Sequence, residues 1–166
     1  MHAALLFFIL VLMTIVAWRD IATRTIPNIL SAGILVLGCI ARAVDGPAAL
    51  AVSVATALFV FGPLVFAHAR GFIGGGDVKV ITAMAIGLPP LDTFRFVTYT
   101  AIAGGLLATA YLLLSRYPRM LPRYKQSYLV KRIFAIEAWR IRKRAPLPYG
   151  VAIAAGAFLL FHSRSF

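Results

Sequence analysis

Five acids, three histidines and one cysteine carry most of the acid–base and metal-binding chemistry open to this chain. The acids are Asp20, Asp45, Asp77, Asp92 and Glu137, the histidines His2, His68 and His162, and the cysteine Cys39. A structural zinc site needs about four ligands, commonly Cys or His pairs. One cysteine and three scattered histidines do not supply them, so no metal and no cofactor are expected. No cluster points to a Ser–His–Asp triad either. Asp20 and Asp77 are more informative. Asp20 lies in Trp18-Arg19-Asp20-Ile21-Ala22-Thr23-Arg24-Thr25-Ile26-Pro27-Asn28, and Asp77 in Gly74-Gly75-Gly76-Asp77-Val78-Lys79. Two carboxylates that meet cannot both ionise easily, so one stays an acid while the other is a base. Such a pair can activate a water against a peptide carbonyl and protonate the leaving nitrogen. Three glycines before Asp77 permit unusual backbone angles and close approach of a peptide. Pro27 suits the first turn of a following helix and fixes its departure from the Asp20 loop.

The same residues have plainer readings. Asp77 can cap a helix, Asp20 can pair with Arg19 or Arg24, and Gly74 to Gly76 can form a turn. Lys79 can snorkel to the interface, tune Asp77 or bind a backbone carbonyl. Asp45 and Asp92 lie in short connections where a turn role suffices. Glu137 sits among cations and pairs with one, and Cys39 packs as a small apolar residue.

The elements that must position the two acids are apolar. Of 166 residues, 61% are hydrophobic, and counting glycine the share is about 69%, against roughly 45–50% in soluble domains. A soluble monomer this small cannot bury so much apolar surface. The composition excludes a soluble globular domain, a disordered chain and a disulfide scaffold. It predicts an all-α integral membrane bundle forming one domain over 1–166. Six apolar segments are read, at Ala3–Trp18, Ile29–Ala41, Ala48–His68, Val78–Leu91, Phe94–Leu114 and Tyr149–Phe161. Spanning helices want ~20 residues, which the third and fifth supply. The fourth is interrupted near its end by Pro89-Pro90 and is a candidate re-entrant segment, although six crossings are favoured.

Charge orients the bundle. There are 17 Lys and Arg against 5 acids, a net of +12. With six crossings and the N-terminus outside, 14 cations fall on inside loops and three outside, as the positive-inside rule asks. Asp20 and Asp77 then share the inner face. Ten cations lie between Ser115 and Arg144, so their excess reads as a cytoplasmic loop over 115–148 and not as a nucleic-acid surface. Within it Leu129, Val130, Ile133, Phe134 and Ile136 are apolar at helical spacing, and Lys131, Arg132, Arg140, Arg142, Lys143 and Arg144 crowd the rest. That is a basic amphipathic segment suited to anionic lipid, or alternatively to a protein partner. Pro146 and Pro148 end it. Gly104, Gly105, Gly150 and Gly156 allow close helix packing.

Asp20 with Ile26-Pro27-Asn28, followed by Gly74-Gly75-Gly76-Asp77-Val78-Lys79, resembles the type IV prepilin peptidase family of Gly-x-Gly-Asp membrane aspartic proteases. Pro148-Tyr149-Gly150-Val151-Ala152 is similar to that family's last-helix motif. The resemblance spans nearly the whole chain. It implies that Asp20 and Asp77 are catalytic, with Gly74, Gly75, Gly76, Lys79, Pro27 and Asn28 shaping the site. It further implies removal of the short basic leader of prepilins, commonly after a glycine, at the cytoplasmic face of the bacterial inner membrane. Long family members carry an N-terminal segment with paired cysteines, linked to N-methylation. Here the first helix begins almost at Met1 and Cys39 is alone, so methyltransferase activity is not expected, and the short form resembles peptidases of tight-adherence (Flp-type) pilus systems. The competing readings are a small proton- or cation-coupled transporter and a non-catalytic pilus assembly factor.

Overall fold

The computed structural model describes residues 2–116, 139–140 and 147–163. All regular structure among these residues is helical. The helices are α1 (His2–Thr23), α2 (Asn28–Val44), α3 (Pro47–Ala69), α4 (Gly75–Ile86), α5 (Pro90–Arg116) and α6 (Tyr149–Ser163). By length and composition α1, α3 and α5 can cross a membrane, and α2 and α6 are shorter apolar helices. The amphipathic segment expected near 129–136 lies outside the described residues.

Backbone chemistry sets the helix ends. α1 closes with the Arg24 N–H donating to Asp20 O at 3.0 Å, and Arg24 takes the left-handed conformation, φ 55°, that often terminates helices. Pro27 caps α2 from just outside it, φ −60° and ψ 137°, one position earlier than the first-turn site expected for it. Gly46 (φ 112°) turns the chain into Pro47, the first residue of α3.

The fourth helix departs most from expectation. It ends at Ile86, and Pro90 opens α5. Leu88 to Leu91 therefore belong to the connection and to α5, because proline is tolerated at a helix start and not in its interior. Twelve residues rise about 18 Å, well short of a ~30 Å hydrocarbon core. Val78, Val80, Ile81, Ala83, Met84 and Ala85 are all buried. α4 is enclosed by α2 and α3, with α5 and α6 also against it, while α6 lies along both α1 and α5.

The core runs through Met13, Val16, Ile34, Val80, Met84, Phe96, Ile153 and Leu160. Outward faces are just as apolar: Phe7 and Phe8 on α1, Leu58 and Phe59 on α3, and Leu106 and Leu112 on α5 are exposed. Apolar both inside and out is the pattern of a helical bundle whose solvent is lipid. Helix contact then depends on small residues and buried polar groups. A Cβ on Gly38 of α2 would come within 2.8 Å of Gly87 Cα, and the converse holds. At the bundle end where α2 finishes, the Arg42 guanidinium pairs with Asp45 and donates from Nε to Ser53 Oγ at 2.9 Å. Ser53 Oγ in turn donates to Leu88 O at 2.8 Å, tying together α2, α3 and the turn after α4. Asp45 thus acts through an ion pair, not only as a turn residue. Asp92 lies in the first turn of α5, buried, with Arg95 Nη1 at 3.4 Å.

Candidate active site

Asp20 sits in the last turn of α1 and is buried, 6% exposed. The Gly150 N–H donates to its Oδ2 at 2.7 Å. Gly150 is the second residue of α6, so the carboxylate rests against the start of a helix, where backbone N–H groups have no intrahelical acceptor and the helix dipole is positive. Only glycine allows this approach. A Cβ at 150 would stand 2.9 Å from both Asp20 Cβ and Oδ2.

Asp77 is the third residue of α4, one position ahead of the apolar stretch that begins at Val78. Its carboxyl is hydrogen-bonded to the backbone of Gly74, the N-cap residue of α4. This is the reach-back half of a capping box, so the plainer reading of Asp77 as a helix cap holds as geometry. Capping does not exhaust its chemistry. Burial, and then the nearby charge of Asp20, push its pKa up from 3.8 to about 6, against the lowering effect of the Gly74 bond. The bundle therefore brings the two acids of separate segments to one end, close enough for one to sense the other's charge.

The three glycines matter through their missing side chains and not through unusual backbone angles. None takes a left-handed backbone; among the described glycines Gly46 and Gly71 do. Their missing side chains make room for the protein's own groups. A Cβ would meet the Asp77 carboxylate at Gly74 (2.8 Å), the His68 ring at Gly75 (3.2 Å) and Ile26 at Gly76 (3.2 Å). The His68 ring also bonds through Nδ1 to Ile73 O at 2.9 Å. A carbonyl only accepts, so Nδ1 carries the proton in this bond. Lys79 donates to Asn28 Oδ1 at 3.0 Å, joining α4 to the start of α2. Lys79 and Asn28 are thus paired across the two helices, and Pro27 stands just before the start of α2.

The sequence matches the profile of the type IV leader peptidase family over residues 7–109. The chain belongs to that family. No curated protein and no solved structure matches it. The matched stretch carries Asp20 and Asp77. The chain is thus a leader peptidase family member with an all-helical, membrane-type bundle.

Two residues that contact this end of α1 are not singled out by the sequence. From sequence Gly150 reads as a packing residue and as part of a motif, and the bond it makes spans 130 positions. From sequence Arg140 reads as one of the loop cations suited to anionic lipid. Its guanidinium donates to Ile21 O, and through Nη2 to Ala22 O at 3.1 Å. The available signal was the polarity of helix ends, since α1 leaves carbonyls unpaired that attract a cation, but nothing in the sequence says which of ten loop cations answers. Among the described residues, no group of His, Cys, Asp and Glu is arranged to hold a metal ion.

Proposed function

We propose that this chain is an aspartic endopeptidase that removes the short basic leader from type IV-like prepilins at the cytoplasmic face of the bacterial inner membrane. Family membership supports leader cleavage. The observation that carries the aspartic mechanism is the electrostatic coupling of the buried Asp20 to a half-buried Asp77 whose pKa is raised to about 6.

The environments divide the roles. Asp20 accepts an N–H at a helix start, an arrangement suited to an anion. Asp77 is desolvated beside that anion, so the shared proton resides on Asp77. Asp20 takes a proton from water as the water oxygen attacks the scissile carbonyl carbon. Asp77 donates its proton to the carbonyl oxygen, giving a neutral gem-diol. As its C–N bond breaks, Asp20 passes the proton taken from water to the leaving nitrogen, and Asp77 recovers a proton from a diol hydroxyl, re-forming the carbonyl. The catalytic residues are Asp20 and Asp77, with Gly74, Gly75, Gly76, Pro27, Asn28 and Lys79 shaping the site. No metal or cofactor enters the scheme. The basic loop rests on anionic lipid, while the substrate's apolar helix approaches from the bilayer.

Co-expression with candidate prepilins, reading leader removal, tests this. Asn keeps the shape of Asp and its ability to accept the Gly74 or Gly150 bond but cannot exchange the proton. Asp20→Asn and Asp77→Asn are each expected to abolish cleavage in protein that still folds and reaches the membrane. Cleavage surviving in both would instead favour an assembly role.

A further inference from the structure

Arg140 belongs to the basic loop, yet its guanidinium is turned toward the end of α1. Helix α1 stops at Thr23, and the last bond closing it runs from Arg24 N to Asp20 O. The carbonyls of Ile21 and Ala22 come after that bond, where a helix has no further N–H groups of its own to offer. Arg140 donates to both. A guanidinium is suited to this, being permanently charged, forked and matched to the negative end of the helix. Ile21 directly follows Asp20. Arg140 therefore grips the backbone beside the catalytic carboxyl, while the Gly150 N–H holds the carboxyl itself at 2.7 Å. These two residues are only ten positions apart, so the chain meets the end of α1 at two closely spaced points.

We infer that Arg140 is a positioning residue for Asp20, fixing the last turn of α1 so that the carboxyl stays against α6 and beside Asp77. This rests on the assignment of Asp20 as catalytic. It separates Arg140 from the remaining loop cations, whose proposed partner is anionic lipid. Its contribution is geometric, and a misplacement of a catalytic group by about 1 Å can cost on the order of a hundredfold in rate.

The test compares Arg140→Gln, Arg140→Lys and Asp20→Asn in full-length protein reconstituted in vesicles with and without anionic lipid. Cleavage of a pilin precursor is measured across pH, together with backbone hydrogen exchange over residues 19–26. Arg140→Gln should lower kcat roughly ten- to a hundredfold with KM nearly unchanged, to the same extent in both vesicle types. Arg140→Lys should recover part of the loss, keeping the charge without the fork. Exchange over 19–26 should accelerate in Arg140→Gln while α3 is unaffected.

The pH profile separates positioning from a simple loss of folded enzyme. Asp20 helps to raise Asp77, so an Asp20 that drifts away should move the alkaline limb of the profile toward acid. A smaller folded fraction would lower the profile without moving it. Other ionisable groups at this end among the described residues are Arg19 and Arg24 at the end of α1, His68 and Arg70 at the end of α3, Lys79 on α4, which is bonded to Asn28, Arg116 at the end of α5 and Tyr149 at the start of α6. None is altered by these substitutions. An unchanged kcat for Arg140→Gln, with Asp20→Asn inactive in the same assay, overturns the inference and leaves the aspartic mechanism standing. A loss seen only in anionic vesicles, or confined to KM, also overturns it, assigning Arg140 to lipid or to substrate. Activity retained by Asp20→Asn overturns the mechanism itself.

Discussion

Asp77 is held in a place that disfavours its charge, and this has a consequence for stability. Its folded pKa of about 6 lies above the ordinary 3.8. A carboxyl shifted in this direction binds its proton more tightly when folded. Its favourable contribution is therefore full below pH about 4 and is lost as pH rises through about 6. Above that, the ionised group opposes folding by at most about 3 kcal/mol. Asp77→Asn should thus raise the thermal midpoint in lipid or detergent at pH about 8, with little change at pH about 4, even as it abolishes cleavage. A midpoint equally affected at both pH values would show that Asp77 is not strained by ionisation. At Gly150 the prediction is steric. Alanine would put Cβ 2.9 Å from Asp20 Oδ2, displacing either α6 or the carboxylate. Cleavage by Gly150→Ala should fall on the order of a hundredfold in protein that still inserts. Residue type and spacing left Asp20 and Asp77 open to plainer readings, and the motifs around them, Ile26-Pro27-Asn28 and Gly74-Gly75-Gly76, are what singled them out. The bond from Gly150 to Asp20 could not be read in advance, since a glycine 130 positions away carries no side-chain signal of what its N–H will meet.

Helix crossings are decided by which glycines face a neighbour. Gly38 and Gly87 meet backbone to backbone, so a Cβ on either has no flexible side chain to push aside. Gly156 of α6 faces Thr100 of α5, whose Oγ1 and backbone N both obstruct a Cβ there. Gly62 of α3 faces nothing within 4 Å. Thermal unfolding of single alanine variants should order accordingly. Gly38→Ala and Gly156→Ala should each cost about 1–3 kcal/mol through overpacking. Gly62→Ala should be neutral or stabilising by up to about 1 kcal/mol through helix propensity. Comparable losses at all three would refute the crossing geometry. Sequence reading gave close packing as the reason for Gly104, Gly105 and Gly156 alike. It holds for Gly104, which faces the Tyr149 ring, and for Gly156, but Gly105 has open space. Composition cannot tell these apart, because neighbouring positions on a helix point about 100° away from one another. The fourth helix ends earlier than its apolar run for a related reason. Hydropathy alone runs on through Leu88 to Leu91, whereas the proline at 90 marks the start of a new helix.

At the scale of the molecule, apolar runs and lopsided charge were enough to read an all-helical membrane bundle. They did not foresee that the shortest helix would be among the most enclosed. α4 combines burial with a polar start, and that combination sets Asp77 at one end of a densely packed element, next to the end of α1. The long helices around it present apolar faces outward, so the bundle requires lipid or detergent to stay dispersed. The catalytic account rests on one proton shared between Asp20 and Asp77, and the pH dependence of kcat/KM for the reconstituted protein acting on a prepilin tests it most directly. The account predicts a decline approaching tenfold per pH unit above about 6, as Asp77 loses the proton it must donate. Cleavage that stays level from pH about 5 to about 8 would contradict it.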